Sequence, residues 1–185
     1  MPRPFLEQHY TPRTRTLTGR ILEIGCGREL KADVDIAHAH LIAIDPSAAN
    51  LRAARQRLER GPAPAVDVVT AAGEALPFPD RSFDAVIGSF VFCSVSDVER
   101  VAAELARVAR PSAPLILVEH VRSDRPVIGP LQDLVTPVYA RCFGNCHLNR
   151  NPLDALRRHG FQLTEVARRG SLLPWVLFTG SRVER

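Results

Sequence analysis

At 185 residues the chain is long enough for one α/β domain with a substantial core and too short for two of ordinary size. Its 24 basic and 20 acidic residues leave a formal charge of +4 spread along the sequence, with Lys31 the sole lysine and no basic run interleaved with aromatics, so nucleic-acid binding is not expected. No apolar stretch nears the ~20 residues that cross a bilayer, and residues 1–18 lack the apolar centre of a signal peptide; a soluble, cytoplasmic protein with a small-molecule partner and no stable membrane insertion is the expectation.

Taken in order, residues 1–19 carry Pro2, Pro4 and Pro12 beside Phe5 and Tyr10 and read as an arm or cap, with the domain proper at 20–185. Ile21, Leu22 and Ile24 form a short apolar strand stopped by Gly25 and Gly27, and residues 29–33 leave room for a brief helix. Leu41 to Ile44 is a second strand ending on Asp45. An amphipathic helix follows from Ser47, a natural N-cap, to Arg60, where Gly61 stops it. Val66, Val68 and Val69 give a third strand, the loop from Ala71 to Pro79 is stiffened by Pro77 and Pro79, and Phe83 to Gly88 is a fourth strand with Ser89 to Ser94 as its exit. Val95 to Arg110 has the helical period in Val98, Val101, Leu105 and Val108 and ends before Pro111. A fifth strand, Leu115 to Val118, finishes in Glu119 and His120.

In residues 121–151 Pro126, Pro130 and Pro137 break the apolar pattern, which reads as a small helical insertion above the sheet. Pro152 to His159 is a helix ended by Gly160. Phe161 to Ala167 and Leu172 to Thr179 are two last strands, expected as an antiparallel hairpin at the sheet edge. Strands alternating with helices predict a doubly wound, mostly parallel α/β sheet of seven strands.

A glycine turn after one strand and an acidic residue at the tip of the next, about 20 residues on, is the layout of an adenosine site. The glycines admit a ligand close to backbone, and Asp45 can accept from both ribose hydroxyls; a glycine pair by itself also serves merely to reverse a chain. A dinucleotide site calls for a third glycine under its pyrophosphate, where this turn continues Arg28, Glu29, Leu30, and a carboxylate there disfavours phosphate. S-adenosylmethionine, cationic and free of phosphate, suits the loop better than NAD. Gly73 is placed to offer a backbone N–H to the adenine edge. Four cysteines fit no secreted disulfide framework, and reduced thiols are expected, with Cys26 and Cys93 as packing residues. Cys142, Cys146 and His147 are conceivable soft ligands, but their spacing lacks a second pair, so no metal site is expected.

The segments EIGCG (Glu23 to Gly27), IDPS (Ile44 to Ser47), GEALPFPDRSFD (Gly73 to Asp84) and ELARVARP (Glu104 to Pro111) resemble those of the class I S-adenosylmethionine-dependent methyltransferases, of the type 11 or UbiE-like kind, over nearly all of residues 20–182. The resemblance implies a Rossmann-like domain that binds S-adenosylmethionine through Glu23, Gly25, Gly27 and Ser89, the ribose on Asp45, and the adenine beside Pro46, Gly73 and Glu74. Two positions depart from the family: Glu29 stands at the usual third glycine, and Ala72 where many members have an aspartate facing the adenine amine.

A narrower likeness, in AAGEALPF (Ala71 to Phe78), SFVFCSV (Ser89 to Val95), VEHV (Val118 to Val121) and GNCHLNR (Gly144 to Arg150), is to the mammalian alkyl-thiol S-methyltransferases and their bacterial relatives. The membrane-anchoring N-terminal segment of the mammalian enzymes has no counterpart in this sequence. The likeness implies a small thiol as methyl acceptor. A thiol titrates near ~8.5 and needs little help to attack a sulfonium methyl. His120, with Glu119 adjacent, and His147 are the candidate catalytic residues. Phe90, Phe92, Tyr139, Phe143 and Trp175 are candidate walls of the acceptor pocket. Methylation of carbon, oxygen or nitrogen in a quinone, lipid or natural product, and non-catalytic binding of S-adenosylmethionine, are the competing readings.

Overall fold

The structure, a computed structural model, describes residues 3–30, 33–35, 37–59 and 66–183. Its frame is a seven-stranded sheet built from β1 (Gly19–Ile24), β2 (Ala39–Asp45), β3 (Val66–Thr70), β4 (Ala85–Ser89), β5 (Pro114–His120), β6 (Phe161–Arg169) and β7 (Trp175–Arg182). The spatial order is β3-β2-β1-β4-β5-β7-β6. The first five strands are parallel, and β7 runs antiparallel between β5 and β6. The last strand of the chain therefore inserts next to β5, and β6 forms the edge.

Alternation along β1 sorts the core into two faces. Leu22 and Ile24 join Ile42, Ile44, Val86 and Leu115 under the helices α4 (Val98–Val108) and α6 (Pro152–Arg158). Ile21 joins Leu41, Ile87 and Val118 on the opposite face. There the cover includes the N-terminal segment, a run of α1 (Arg3–Phe5), a π-helical turn (Leu6–Tyr10) and α2 (Thr11–Thr14). The segment expected to be an arm or cap outside the core is a packed layer: Phe5, Leu6, Tyr10 and Leu17 are all buried against the sheet. The helix α3 (Ala48–Leu58) sets Leu51 against Cys26 and Ala43, and Ser47 caps it by accepting from the Asn50 N–H. The stop proposed at Gly61 lies outside the described residues.

Three other expectations need correction. Residues 28–30 form no helix, and residues 31 and 32 of the proposed helix lie outside the described residues. Helix α4 begins at Val98 rather than Val95, because Asp97 accepts from the N–H groups of Glu99 and Arg100 and so caps it. The prolines of the insertion do not divide it: α5 (Ile128–Cys142) runs through both Pro130 and Pro137. Pro130 sits in the first turn, where a backbone N–H has no helical partner to lose.

Two stretches far apart in sequence, GEALPFPD and ELARVARP, meet at Arg107. Its guanidinium donates to the carbonyls of Leu76 (3.0 Å) and Phe78 (2.7 Å) and to the carboxylates of Asp80 and Glu104. Glu104 in turn accepts from the Leu76 N–H at 2.7 Å. The pair thus fastens the loop after β3 to α4. Arg107→Ala is expected to cost about 2–3 kcal/mol through the charged hydrogen bonds it removes, a fall of roughly 4–12 °C in thermal unfolding. An unchanged melting temperature would show that the loop holds itself.

Candidate active site

The C-terminal ends of β1, β2 and β4 open onto a crevice of about 640 Å³, within the size range of small-ligand sites. It is the place where ligands bind in an open parallel sheet. The turn after β1 forms its floor. Gly25 and Gly27 hold φ of +64° and +66°, and a Cβ on Gly25 would sit 2.7 Å from Val91 Cγ2, so neither conformation nor space admits a larger residue at Gly25.

Asp45, at the tip of β2, is nearly buried and accepts from the Gly27 N–H (2.9 Å), the Ser47 N–H (2.9 Å) and the Asn50 side-chain amide (3.0 Å). A carboxylate offers about four acceptor positions, so roughly one remains for an incoming hydroxyl. Asp45 therefore shapes the glycine turn and still has capacity for a ligand.

Of the cofactor residues expected from sequence, Gly25, Gly27, Asp45, Pro46, Gly73, Glu74 and Ser89 all line this one crevice. Glu23 does not. It is buried on β1 close to Tyr10, whose hydroxyl it pushes further from ionisation. Glu74 accepts from the N–H and hydroxyl of Ser96 and from the Asp97 N–H. Partial burial raises its pKa, and those donors outweigh burial, leaving the carboxyl below its ordinary range. A Cβ on Gly73 would meet Ile24 Cδ1 at 2.8 Å, so the glycine is needed for packing as well.

Glu29, expected to face the ligand, instead pairs with Arg57 of α3 at 3.1 Å, and Arg28 lines the crevice in its place. Glu29 therefore gives the crevice no carboxylate that would disfavour phosphate. Ala72 lines the wall and brings no carboxylate to it.

Among the expected aromatic walls only Phe90 lines the crevice. It holds a left-handed φ of +57°, a conformation that costs a non-glycine residue about 1 kcal/mol or more. Its ring packs edge-on to Trp175, 6.0 Å between centroids, and lies 6.3 Å from the ring of His120. Phe92 is core, and Tyr139 stacks on an exposed Phe143. Gly144 and Asn145, from the loop after α5, are among the lining residues not expected from sequence, and Asn145 donates to the Ser94 carbonyl at 2.9 Å.

The expected catalytic histidines stand behind this wall. His120 Nε2 lies 3.0 Å from Cys146 Sγ, and His147 Nε2 lies 3.2 Å from Asn145 Oδ1; neither ring lines the crevice. Glu119 is fully buried and accepts from the Val91 and Phe92 N–H groups. Burial pushes its carboxyl up to about 7 against the pull of those donors. The Cys146 thiol is drawn down to about 5, first by its hydrogen bond with Cys93 and then by His120, while the same contact and burial push Cys93 up.

The family model described as a methyltransferase domain matches residues 22–117, which carry the glycine turn, Asp45 and the crevice loops. The chain belongs to the class I S-adenosylmethionine-dependent methyltransferases. S-adenosylmethionine is thus the cofactor to test against the crevice, and the residues fit it: a glycine floor, one carboxylate with acceptor capacity left, and apolar wall from Ile44, Pro46 and Val95.

The chain is 34% identical over 128 residues to a phosphatidylethanolamine N-methyltransferase of Cereibacter sphaeroides, covering 65% of this chain and 62% of that one. It is 32% identical over 111 residues to the thiol S-methyltransferase TMT1A of Homo sapiens (59% and 46%) and 34% over 95 residues to the ubiquinone/menaquinone biosynthesis C-methyltransferase UbiE of Hahella chejuensis (51% and 38%). The chain thus spans between 38% and 62% of the length of these relatives. In fold it is similar to the YcgJ protein of Bacillus subtilis, with a TM-score of 0.79 at 16% identity over 99% of this chain and 98% of that one.

Proposed function

We propose that this methyltransferase carries a methyl group from S-adenosylmethionine to a small-molecule thiol. The observation that carries the reading is what the crevice wall lacks. Its two carboxylates, Asp45 and Glu74, already accept from backbone and side-chain donors, and no histidine, lysine or tyrosine is among the described residues that line it. An acceptor must then bring its own nucleophile. At pH 7 a thiol of pKa ~8.5 is about 3% thiolate, whereas a phenol of pKa ~10 is ionised about thirty-fold less. The relative TMT1A, named a thiol S-methyltransferase, supports the same acceptor class.

When bound, S-adenosylmethionine supplies an electrophilic methyl on a sulfonium. The chain's part is to hold that group against the glycine turn, align the acceptor and exclude water. In this reading Phe90, Val91 and Val95 present an apolar face to the acceptor, while His120 and His147 act from behind it by orienting Cys146 and Asn145. A substitution such as His147→Ala should then raise the acceptor KM and leave affinity for S-adenosylmethionine unchanged.

Incubation with methyl-labelled S-adenosylmethionine and a panel of thiols, phenols, amines and quinols tests the acceptor. Label on thiols is the expected result. Label only on quinols, phenols or amines would reassign the acceptor to carbon, oxygen or nitrogen, and cofactor binding with no transfer to any of them would make the protein a binder.

A further inference from the structure

Three soft donors that are far apart in sequence converge behind the crevice wall. Cys93 follows β4, His120 ends β5, and Cys146 lies in the loop after α5, yet their sulfur, imidazole nitrogen and sulfur atoms all lie within 4.8 Å of one another. Cys93 and His120 are buried, and Cys146 is half-buried. Neither cysteine is in a disulfide.

We propose that Cys93, His120 and Cys146 form a binding site for a soft d10 cation of the Zn²⁺ class, with three protein ligands and a water in the fourth position. Two thiolates and an imidazole are a donor set that zinc takes in tetrahedral sites, and bond lengths of about 2.0–2.3 Å put the donors of a regular tetrahedron roughly 3.6–3.8 Å apart. The cluster brackets that spacing, from 3.0 Å between His120 Nε2 and Cys146 Sγ to its 4.8 Å limit. A small adjustment suffices.

The protonation states balance. His120 Nδ1 is buried and has no hydrogen-bond partner among the described residues, so none of them forces the ring proton onto Nε2, which can present its lone pair. On loading, whatever thiol protons remain on Cys93 and Cys146 pass to solvent, and the two thiolates neutralise the dication; no oxidation occurs. A charge-neutral assembly replaces two sulfur groups and a half-satisfied ring.

The place of the site gives the metal its consequence. Cys146 follows Gly144 and Asn145, and Cys93 precedes Ser94 and Val95; all four neighbours line the crevice. The two loops are already joined by hydrogen bonds from His147 N–H to the Cys93 carbonyl (2.7 Å) and from Arg150 to the Phe92 carbonyl (2.9 Å). A cation shared by Cys93, His120 and Cys146 would fix the roof of the acceptor space to the sheet.

The test follows metal rather than methyl transfer, so its outcome is independent of the acceptor reading. The full chain, reduced and stripped with a chelator, is titrated with Zn²⁺ against a chromophoric competitor and with Co²⁺ as a spectroscopic stand-in. Expected are one equivalent bound, intense visible bands of tetrahedral cobalt with a thiolate charge-transfer band, and a rise in unfolding temperature on loading. Cys146→Ser, at a half-buried loop position that should not disturb folding, is expected to weaken binding at least about 100-fold. Cys142→Ser, at the exposed end of α5, should change nothing. Absence of stoichiometric binding by the reduced chain, octahedral cobalt spectra, or binding that survives the Cys93→Ser, Cys146→Ser pair would overturn the site. So would formation of a Cys93–Cys146 disulfide in air by a protein that takes up no metal when reduced.

Discussion

Asp45→Ala is expected to weaken binding of S-adenosylhomocysteine, the demethylated product, by about 10- to 150-fold, the worth of a hydrogen bond to a charged acceptor at about 1.5–3 kcal/mol. The loss is compounded because the same carboxylate holds the Gly27 N–H and the start of α3, so the glycine turn loses its brace together with the ligand's partner. Isothermal calorimetry on the wild type and on Asp45→Ala and Asp45→Asn reads this directly. The asparagine retains one acceptor but turns an amide toward a donor, and intermediate affinity is expected. Equal affinities for all three proteins would mean that the ligand does not reach the tip of β2.

Tyr10→Ala is expected to destabilise the fold by about 3–5 kcal/mol, the range for emptying a large aromatic site in a core, or roughly 6–20 °C in thermal unfolding. Tyr10 is completely buried within the layer that the N-terminal segment forms against Ile21, Leu41 and Val118. Its hydroxyl meets no hydrogen-bond partner among the described residues, and burial, with Glu23 and Glu119 nearby, pushes its pKa well up. Tyr10→Phe removes that hydroxyl while keeping the ring and should leave the melting temperature unchanged or higher, since an unsatisfied buried polar group costs about 1–3 kcal/mol. If alanine is tolerated, the segment is not part of the core. If phenylalanine is the damaging change, the hydroxyl has a partner in solution.

The contrast between these two positions shows what could be read from the chain. Asp45 was legible because its chemistry is local: an apolar run ends on it, a glycine turn precedes it by a fixed interval, and parallel strands bring both ends to one edge. Tyr10 was not. Phe5, Leu6 and Tyr10 are too few, and too closely flanked by Pro4 and Pro12, to give a periodic signal, and the turn from Leu6 to Tyr10 is π-helical. The place of β7 inside the sheet rests on pairing with β5 from Pro114 to His120, a register that alternation along either strand does not encode.

Helix α5 persisted through two prolines that sequence reasoning took as breaks. The cluster of Cys93, His120 and Cys146 was the least accessible, because its members are separated by 26 residues or more and the local spacing of Cys142, Cys146 and His147 gives no sign of Cys93 or His120. Glu29 misled for a related reason: its charge is answered by Arg57, a residue on the far end of α3.

The central claim is that the glycine turn and the tip of β2 together hold the cofactor. A crystal structure of the chain grown with S-adenosylhomocysteine tests it most directly. Expected are the ribose against Asp45, the adenine between Pro46 and Gly73, and the homocysteine sulfur over the turn from Gly25 to Gly27. Ligand density elsewhere on the molecule, with the crevice filled by water alone, would contradict it.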